Sequence, residues 1–578
     1  MTTTPNGLLL VPAVMVPFVG VLIAFVLGGR AAQRIAGVTI LAGLAVVLAI
    51  ARAMGHSDGG LVYLLGGWVP PLGVALRADN FALAMMLMVA LVVAGIGLYA
   101  RSDFSTPAGV REARRPMVFW TLLLAIWGSL NLMFLSGDLF TLYVALELLT
   151  FSAIPLVSLD GRAETLRAAL RYLIFALLGS VFYLLGAVLL YGAYGTLDIP
   201  LLAERVGPGA VTWVAAALMT TGLLAKTALV PLHLWLPPAH AGAPAAASAV
   251  LSGLVVKGSW FLVVRLWLEV LPWVVTVPSA QLLGGLGAAA ILLGNLVALR
   301  QQRLKLLVAY STVAQIGYLF LMFPLAFGVG AAEMDSAQTA GTLQAISHAT
   351  AKAAMFMAAG LIYKGLGHDR IGSLAGVGRL LPISVLTFVL AGLALTGLPP
   401  SGAYVAKKLM LDSAAASGQW WWDLAMQAGG FLTAAYVVLV LIHALVPARE
   451  PVQFKARVSR LAELSALALA FCSLLLGFAA VHAGLPDALS DAFSLKELGT
   501  AALLLVVGAV LASGLALELP RIPGGAALGA LGRPMRRVTV AAAVTVVRID
   551  ARLREWPVAG LSIVALAAAF GVAMVVVT

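Results

Sequence analysis

Long apolar stretches separated by short polar connections make up almost the whole chain. About sixteen of these stretches approach the roughly 20 residues that an α-helix needs to cross a bilayer. They lie at roughly 8–28, 33–53, 80–100, 116–136, 139–158, 170–193, 211–236, 244–268, 279–299, 305–327, 337–363, 380–412, 426–447, 461–482, 499–517 and 557–577. Runs of this length and number predict an all-α polytopic membrane protein with about 14–16 transmembrane helices.

The composition favours burial in lipid over solution in water. Of the 578 residues, 62% are hydrophobic and 10% are charged, and the mean hydropathy is +1.04. Soluble domains carry roughly 25% charged residues, so little of the chain is left for a soluble domain. The single cysteine, Cys472, excludes an internal disulfide and a cysteine-ligated iron–sulfur or zinc cluster. Since no G-x-G-x-x-G motif follows a strand pattern either, we expect no cofactor, no metal site and no redox centre in this chain.

Positive charge is concentrated in alternate connections between the apolar runs, and the net charge is +12. If every run spans the membrane, the basic connections share one face. They are Arg30 to Arg34, Arg101 to Arg115, Arg162 to Arg171, Arg300 to Lys305, Lys364 to Arg379, Arg449 to Arg460 and Arg521 to Arg554. Cytoplasmic loops carry an excess of Lys and Arg. The pattern therefore predicts a multi-pass protein of the cell inner (plasma) membrane with both termini on the non-cytoplasmic side, and no nucleic-acid partner.

Candidate chemistry is concentrated between Leu223 and Leu266, where ionisable side chains lie inside two apolar segments and prolines interrupt the first. These side chains are Lys226, His233, His240 and Lys257. An ionisable group costs about 2.5–3.5 kcal/mol at a bilayer centre, so such groups persist mainly where they pair or line a polar path. Proline-broken backbone is tolerated at membrane depth where protein or a watery cavity satisfies its carbonyls. The stretch therefore predicts ion handling.

A carboxylate in an earlier run is the natural partner of Lys226. We expect Asp138 to cap the start of a helix, whereas Glu147 lies about nine residues, or roughly 13 Å of helix, deeper. A buried lysine loses its proton more readily, and a nearby carboxylate restores the charged form. We therefore interpret Glu147 and Lys226 as a proton site, with a buried structural ion pair as the alternative. Arg77 and Asp79, just before the third run, are interpreted as structural or capping residues.

Two interpretations of His233 and His240 stay open. Imidazoles titrate near neutral pH, so both could carry protons between Lys226 and Lys257 as a relay. Alternatively, each is a neutral histidine hydrogen-bonded to a carbonyl that the prolines free.

A second set of ionisable residues follows in the later half of the chain. His348 and Lys352 stand at i and i+4, one turn apart on one helix face, and predict a proton relay. Lys407 and Lys408 follow a break at the sequence GLPPSG, and we expect Lys407 to face inward and Lys408 to snorkel. Because both halves contain a Gly/Pro-broken segment, the chain is interpreted as an inverted-repeat transporter. The polar residues of an intervening helix pattern either join helices or line a water path: Ser311, Thr312 and Gln315.

The pattern divides the chain into four parts. These are N-terminal transmembrane helices over 1–115, a first repeat over 116–270, a second repeat over 271–447, and C-terminal transmembrane helices with a basic amphipathic segment over 448–578. Beyond Arg460 the sequence shows little chemistry. The basic segment predicts a helix at the membrane surface or at a subunit interface rather than a site, and its arginines are Arg533, Arg536, Arg537, Arg548, Arg552 and Arg554.

Four motifs together resemble a known family: Glu147 in its apolar run, KTALVPLHLWLPPAH, HATAK and GLPPSGAYVAKK. The chain resembles the antiporter-like subunits of the complex I superfamily over roughly Asp79 to Ala444. This superfamily includes proton-translocating membrane subunits of NADH:quinone oxidoreductase, subunits of membrane-bound hydrogenases, and the D subunit of Mrp-type cation/proton antiporters. The resemblance implies two inverted five-helix repeats whose proton-path helices are broken by Pro and Gly.

The resemblance also implies a role for each matching residue. Glu147 corresponds to the glutamate of helix 5, Lys226 to its lysine partner in broken helix 7, Lys257 to the central lysine of helix 8, His348 and Lys352 to the relay of helix 11, and Lys407 to the terminal lysine of broken helix 12. In the family, protons move along this hydrated axis, and a change in the Glu–Lys separation switches the lysine pKa values.

The leading hypothesis is proton translocation along this Glu/Lys/His axis, as a subunit of a multisubunit complex I-like or hydrogenase-like redox complex. Any NADH- or quinone-linked enzyme activity would then reside in partner subunits. The second hypothesis is the D subunit of an Mrp-type Na⁺(K⁺)/H⁺ antiporter, and the third is a non-conducting structural membrane subunit. All three imply other membrane subunits as partners, and the first two imply protons as the transported ion.

Overall fold

Helices form almost all of the structure. The computed structural model describes residues 2–57, 59–107, 109–448, 453–482, 489, 492–515 and 541–576. Within this part, 15 helices are long and apolar enough to cross a membrane, which confirms the predicted all-α polytopic fold. One antiparallel hairpin, not predicted from the sequence, pairs β1 (Leu61–Leu64) with β2 (Ala75–Ala78).

The helices are numbered in chain order. Those before the first broken segment are α1 (Leu10–Leu27), α2 (Gly29–Met54), α3 (Asn80–Ala100), α4 (Arg114–Leu135), α5 (Leu139–Val157), α6 (Ala163–Tyr194), α7 (Ile199–Arg205) and α8 (Ala210–Thr227). The middle group is α9 (Leu236–Gly242), α10 (Ala245–Val250), α11 (Val256–Arg265), α12 (Val277–Leu299), α13 (Leu304–Phe320), α14 (Met322–Ala326), α15 (Ala331–Leu366) and α16 (Val377–Leu380). The last group is α17 (Pro382–Thr396), α18 (Gly402–Ala416), α19 (Trp420–Leu445), α20 (Arg460–His482), α21 (Leu495–Leu515), α22 (541–553) and α23 (Trp556–Val575).

The chain forms two compact units. The first comprises Met1–Thr227, Gly242–Leu282 and Gly560–Thr578, and the second comprises Ala228–Ala241 and Leu283–Ala559. The segment that follows Lys226 in the chain therefore belongs to the second unit, although α8 belongs to the first. The four-part division of the sequence remains a prediction.

Two segments that carry candidate lysines are almost completely enclosed. In the first unit, π-helical turns at Leu251–Val255 and Leu266–Val270 extend α10 and α11 into one rod, Ala245–Val270. All residues of the 18-residue apolar stretch of this rod are buried. In the second unit, 89% of the residues in the 18-residue apolar stretch of α15 are buried, whereas in α21 the share is 17%. Lysines on such enclosed helices need protein or water partners, because lipid headgroups are out of reach.

Side-chain caps and breaks determine where the site helices begin and end. Asp138 caps α5 by accepting a hydrogen bond from the Thr141 amide at 2.8 Å, as predicted. Helix α8 ends at Thr227, where Ala228 has a left-handed φ of +60° and Pro231 lacks the amide that would continue the helix. Helix α17 ends in the same manner at Gly397, with φ of +84°, and α18 begins after Pro400.

Glycines bring α6 and α8 into backbone contact next to Lys226. A Cβ placed at Gly222 would lie 2.3 Å from the carbonyl oxygen of Gly179, and a Cβ at Gly179 would lie 2.6 Å from that of Gly222. Real Cβ atoms do not approach backbone oxygens so closely, so both positions require glycine. The same Cβ at Gly179 would also lie 3.3 Å from Cγ of Lys226. The close approach of the helices therefore places the stem of Lys226 against α6.

We predict that Gly179→Ala lowers the thermal stability of the assembled protein, because the new methyl group forces α6 and α8 apart at a cost of about 1–3 kcal/mol. Gly192→Ala, in the exposed last part of the same helix, is the matched control, since a Cβ there meets nothing within 4 Å. The control is expected to be neutral or to stabilise slightly, by about 0.5–1 kcal/mol. Thermal unfolding of both variants in detergent measures the difference, and equal midpoints would contradict the packing described above.

Candidate functional site

Glu147 and Lys226 form a buried ion pair in the first unit. Lys226 Nζ lies 3.0 Å from Glu147 Oε1 and donates a second hydrogen bond to Thr150 Oγ1 at 2.8 Å. Ser180 Oγ donates to the same carboxylate oxygen. The two charged side chains are 5% and 14% exposed. The pair inferred from the sequence is thus in contact, while its role in proton transfer is a proposal.

Three helices build this site. Glu147 and Thr150 stand one turn apart on α5, Ser180 is on α6, and Lys226 is in the last turn of α8. Thr150 and Ser180 were not singled out in the sequence. The spacing of Thr150 from Glu147 was a usable signal, because i and i+3 lie on one helix face, whereas nothing local marked Ser180.

Lys257 is fully buried on the rod formed by α10 and α11. Its Nζ donates to the backbone carbonyl of Ser252, inside the π-helical turn that immediately precedes Val256. π-turns leave carbonyls displaced from the α-helical pattern, and they often occur at functional positions. Ser259, two residues after Lys257, accepts a hydrogen bond from Thr227 Oγ1 at 2.8 Å. This bond joins the end of α8 to α11.

Lys352 lies in a hydroxyl network in the second unit. Both His348 and Lys352 are fully buried on α15. Lys352 Nζ donates to Ser311 Oγ, which in turn donates to the Tyr436 hydroxyl at 2.9 Å. The network joins α15, α13 and α19. Ser311 therefore contacts the predicted relay directly, a role that the sequence pattern left open.

A second set of hydrogen-bonded polar side chains lies on α13 and α15, about one to two helical turns from Ser311 and Lys352. Gln344 Nε2 donates to Gln315 Oε1 at 2.9 Å, and Gln315 Nε2 donates to the Leu395 carbonyl at 3.4 Å. Leu395 is two residues before the break at Gly397. Gln315 thus joins α13 and α15 to the broken helix.

Lys407 is half-buried on α18 and donates to Gln427 Oε1 at 3.3 Å. Lys408 is also half-buried. The expected contrast between an inward and a snorkelling lysine is therefore not expressed as a difference in burial, and Lys407 contacts α19 through its hydrogen bond to Gln427.

The two histidines after the first break have different surroundings. The ring of His240 stacks on Phe356 with centroids 4.7 Å apart. His233 is fully buried, and its Nε2 lies 2.8 Å from Oδ1 of Asp550. The observed partner of His233 is a carboxylate, so the interpretation of His233 as bonded to a freed carbonyl is wrong for Nε2.

Asp550 was missed because it lies in the segment interpreted as a basic surface helix. Within α22, Arg548 and Arg552 are exposed as expected, while Arg533, Arg536 and Arg537 lie outside the described residues. Asp550 itself is 1% exposed. The interpretation as a surface helix did not include this buried carboxylate, and whether the segment contributes to a site stays a prediction. No local signal marks one acidic residue among arginines as buried, since burial follows from tertiary contacts.

A second ionic cluster lies apart from these groups in the first unit. Asp79 caps α3 by accepting from the Ala82 amide at 2.7 Å, as predicted, and both of its carboxylate oxygens accept hydrogen bonds from Arg265. Arg265 also pairs with Glu269. Burial raises the pKa of Asp79, but the hydrogen bonds and charge of Arg265 outweigh burial and keep that pKa below its usual value. The carboxylate therefore stays ionised at neutral pH and anchors α11 to the start of α3.

Metal binding has no evident site in the described residues, where no three His, Cys, Asp or Glu side chains are grouped to hold an ion.

Comparison with known proteins places these residues in one family region. The family model described as "NADH:quinone oxidoreductase/Mrp antiporter, TM" matches residues 136–433, which include all the site residues predicted from the sequence. The N subunit of the NADH-quinone oxidoreductase of Desulforudis audaxviator is 32% identical over 413 residues, or 71% of this chain and 79% of that protein. The D subunit of the Na⁺/H⁺ antiporter of Bacillus subtilis is 27% identical over 384 residues, or 66% of this chain and 75% of that protein.

Solved structures share the fold. A chain of the Mrp complex from Dietzia sp. has a TM-score of 0.71 at 24% identity and covers 87% of this chain and 97% of its own length. A chain of the membrane-bound sulfane sulfur reductase, an archaeal respiratory membrane complex, has a TM-score of 0.72 at 24% identity and covers 86% of this chain and 99% of its own length. Asp550 lies outside the region that the family model matches.

We predict that Glu147→Gln lowers stability by more than the double variant Glu147→Gln/Lys226→Leu. Removal of one partner leaves the other charge buried without compensation, at a cost of about 3–5 kcal/mol, whereas the double variant leaves no buried charge at the site. Thermal unfolding of the assembled protein in detergent measures both. A double variant no more stable than Glu147→Gln alone would show that the pair is not the buried ionic contact described here.

Proposed function

Because the chain belongs to the NADH:quinone oxidoreductase/Mrp antiporter family of transmembrane subunits, we propose that it translocates protons across the membrane as one subunit of a multisubunit complex I-like or hydrogenase-like redox complex. One observation carries the proposal: an ionisable lysine is enclosed at the end of a broken helix and paired with a single carboxylate, Glu147, at 3.0 Å. Charges so enclosed are costly, and they persist mainly where they pair or serve ion movement.

The pair can act as a proton site with two affinities. While Glu147 stays at 3.0 Å, its negative charge favours the ammonium form of Lys226. If the carboxylate moves away, burial favours the neutral amine, and the proton leaves Nζ. Thr150 Oγ1 accepts a hydrogen bond from Lys226 Nζ, and Ser180 Oγ donates one to Glu147 Oε1. The two hydroxyls can therefore hold the pair in place and remain as hydrogen-bonding partners when it separates.

The proposal extends to the other buried titratable groups of the family region. In the first unit Lys257 is the second lysine, and in the second unit Lys352 with its Ser311–Tyr436 network is the third. His348 and Lys407 complete the proposed set, with His233 and His240 as relay groups. Each of these groups is buried or half-buried.

The redox partners are proposed from the relatives. The name of the relative with 32% identity is that of a subunit of an NADH-quinone oxidoreductase. We place any electron transfer in other subunits of such a complex, and we expect this chain to be joined to other membrane subunits.

A second function is favoured by a second relative. The D subunit of the Na⁺/H⁺ antiporter of Bacillus subtilis is 27% identical over 66% of this chain. In that case the same proton sites would serve exchange of protons for Na⁺ or K⁺ in an Mrp-type assembly. The dependence of proton flux on added cation separates the two functions.

We predict that Lys226→Ala abolishes proton flux while the complex stays assembled, because the amine is the group that takes up and releases the proton. Flux driven by a pH gradient is measured in membrane vesicles that carry the whole complex, at matched protein level. The control is Lys496→Ala, the same chemical change at an exposed position at the start of α21, which is expected to retain wild-type flux.

Two results would contradict the proposal. Unchanged flux in Lys226→Ala would remove Lys226 from the proton path. Loss of flux only in proportion to loss of assembled complex would make this chain a structural subunit. If flux is lost in the variant and wild-type flux requires Na⁺ or K⁺, cation exchange replaces redox-linked pumping as the function.

A further inference from the structure

A buried carboxylate joins helix α22 to the connection that follows Lys226, within the second unit. Oδ1 of Asp550 lies 2.8 Å from Nε2 of His233. The other oxygen, Oδ2, accepts from the Tyr310 hydroxyl at 2.8 Å and from Nε of Arg554 at 3.0 Å. Asp550 and His233 are 1% and 0% exposed. The C-terminal part of the chain, outside the region matched by the family model, thus reaches a residue of the proposed relay.

We propose that Asp550 is a positioning residue for proton transfer at His233: it fixes the proton on Nε2, so that Nδ1 is the nitrogen that gains and loses protons. This inference rests on the proposed function. It adds a role for α22 that goes beyond an amphipathic surface helix.

The donor and acceptor chemistry of the cluster supports this assignment. A carboxylate can only accept, so Nε2 must carry the hydrogen in the bond to Asp550. The neutral imidazole then has its lone pair on Nδ1, which has no hydrogen-bonding partner among the residues that the structure describes. Uptake forms an N–H bond at Nδ1 and gives an imidazolium, whose charge faces the carboxylate. Release breaks the same bond, and no electrons are transferred.

Arg554 keeps Asp550 in the form that this role requires. Its guanidinium forms a salt bridge to Oδ2 at 2.8 Å and can donate but not accept hydrogen bonds. A proton on Oδ2 would face this donor and the Tyr310 hydroxyl, so Asp550 stays a carboxylate while His233 changes its charge. Third members of such arrangements orient an imidazole and select its tautomer without themselves taking the proton.

The substitution Asp550→Asn separates positioning from docking of α22. Arg554 offers donors only, so the amide oxygen of the new side chain turns toward Arg554 and Tyr310. The amide nitrogen then donates to Nε2 of His233 and forces the opposite tautomer. Asp550→Asn therefore largely keeps the contacts that dock α22. It changes the tautomer of His233, so that Nδ1 carries the hydrogen and can no longer accept a proton.

The test measures proton flux per assembled complex in the membrane vesicles described above. Asp550→Asn is expected to lower flux about tenfold or more, as for loss of a positioned proton-transfer group, and Asp550→Glu, which retains the carboxylate, to recover part of it. In a His233→Gln background, Asp550→Asn is expected to cause no further loss, because it acts through His233. Arg552→Gln, an exposed change on the same helix, is the control and should leave flux unchanged.

Tyr310→Phe provides the docking control. It removes one hydrogen bond that anchors α22 and leaves the bond between Asp550 and His233 in place. It is expected to lower the thermal stability of the complex about as much as Asp550→Asn does, while its flux stays well above that of Asp550→Asn.

Specific outcomes would overturn the inference. These are wild-type flux in Asp550→Asn, equal loss in Asp550→Asn and Tyr310→Phe that follows loss of assembly, or a full additional loss in the His233→Gln background. If Lys226→Ala abolishes flux and Asp550→Asn does not, this inference fails and the proposed function stands. If Lys226→Ala retains flux, the proposed function fails first.

Discussion

The cost of placing charge inside a bilayer constrains the whole structure. An ammonium at membrane depth needs a counter-charge, a hydrogen-bonding partner or water, and each enclosed lysine described above has at least one of the first two. Lys226 has Glu147 at 3.0 Å, Lys257 has a carbonyl of a π-helical turn, and Lys352 has a serine hydroxyl. Of these three partners, only the Glu147 carboxylate carries a charge.

The backbone is interrupted next to two of the buried or half-buried lysines, Lys226 and Lys407. Helices α8 and α17 both stop at a residue with left-handed φ, Ala228 and Gly397, and each is followed by prolines. An ordinary L-residue such as Ala228 adopts this conformation at a cost of about 1–2 kcal/mol. Such a conformation is retained only where the surrounding structure requires it, and active regions are where it is most often found. Helices that end inside the membrane also leave backbone groups that protein or water must satisfy, which supplies polar surroundings for the adjacent lysines.

Sequence patterns revealed the lysines, the breaks and the pairing of Glu147 with Lys226, because intramembrane charge and proline are conspicuous against 62% hydrophobic residues. They did not reveal Ser180 or Tyr436, since hydroxyls are common in transmembrane helices and only tertiary contact distinguishes the ones that bond a lysine. Asp550 was hidden for a different reason: among the arginines of α22 it has the sequence character of a surface residue. The hairpin of β1 and β2 was also missed, since its strands have only four residues each.

Replacement of Lys226 by arginine tests the central claim most directly. Arginine keeps the positive charge and can pair with Glu147, but it does not deprotonate in proteins. Proton flux per assembled complex in Lys226→Arg therefore distinguishes a titrating proton site from a fixed ion pair. If Lys226 is a titrating proton site, the complex assembles to wild-type levels and flux is lost. Assembly together with wild-type flux would show that position 226 needs only a permanent positive charge, and the proton-site assignment would then be wrong.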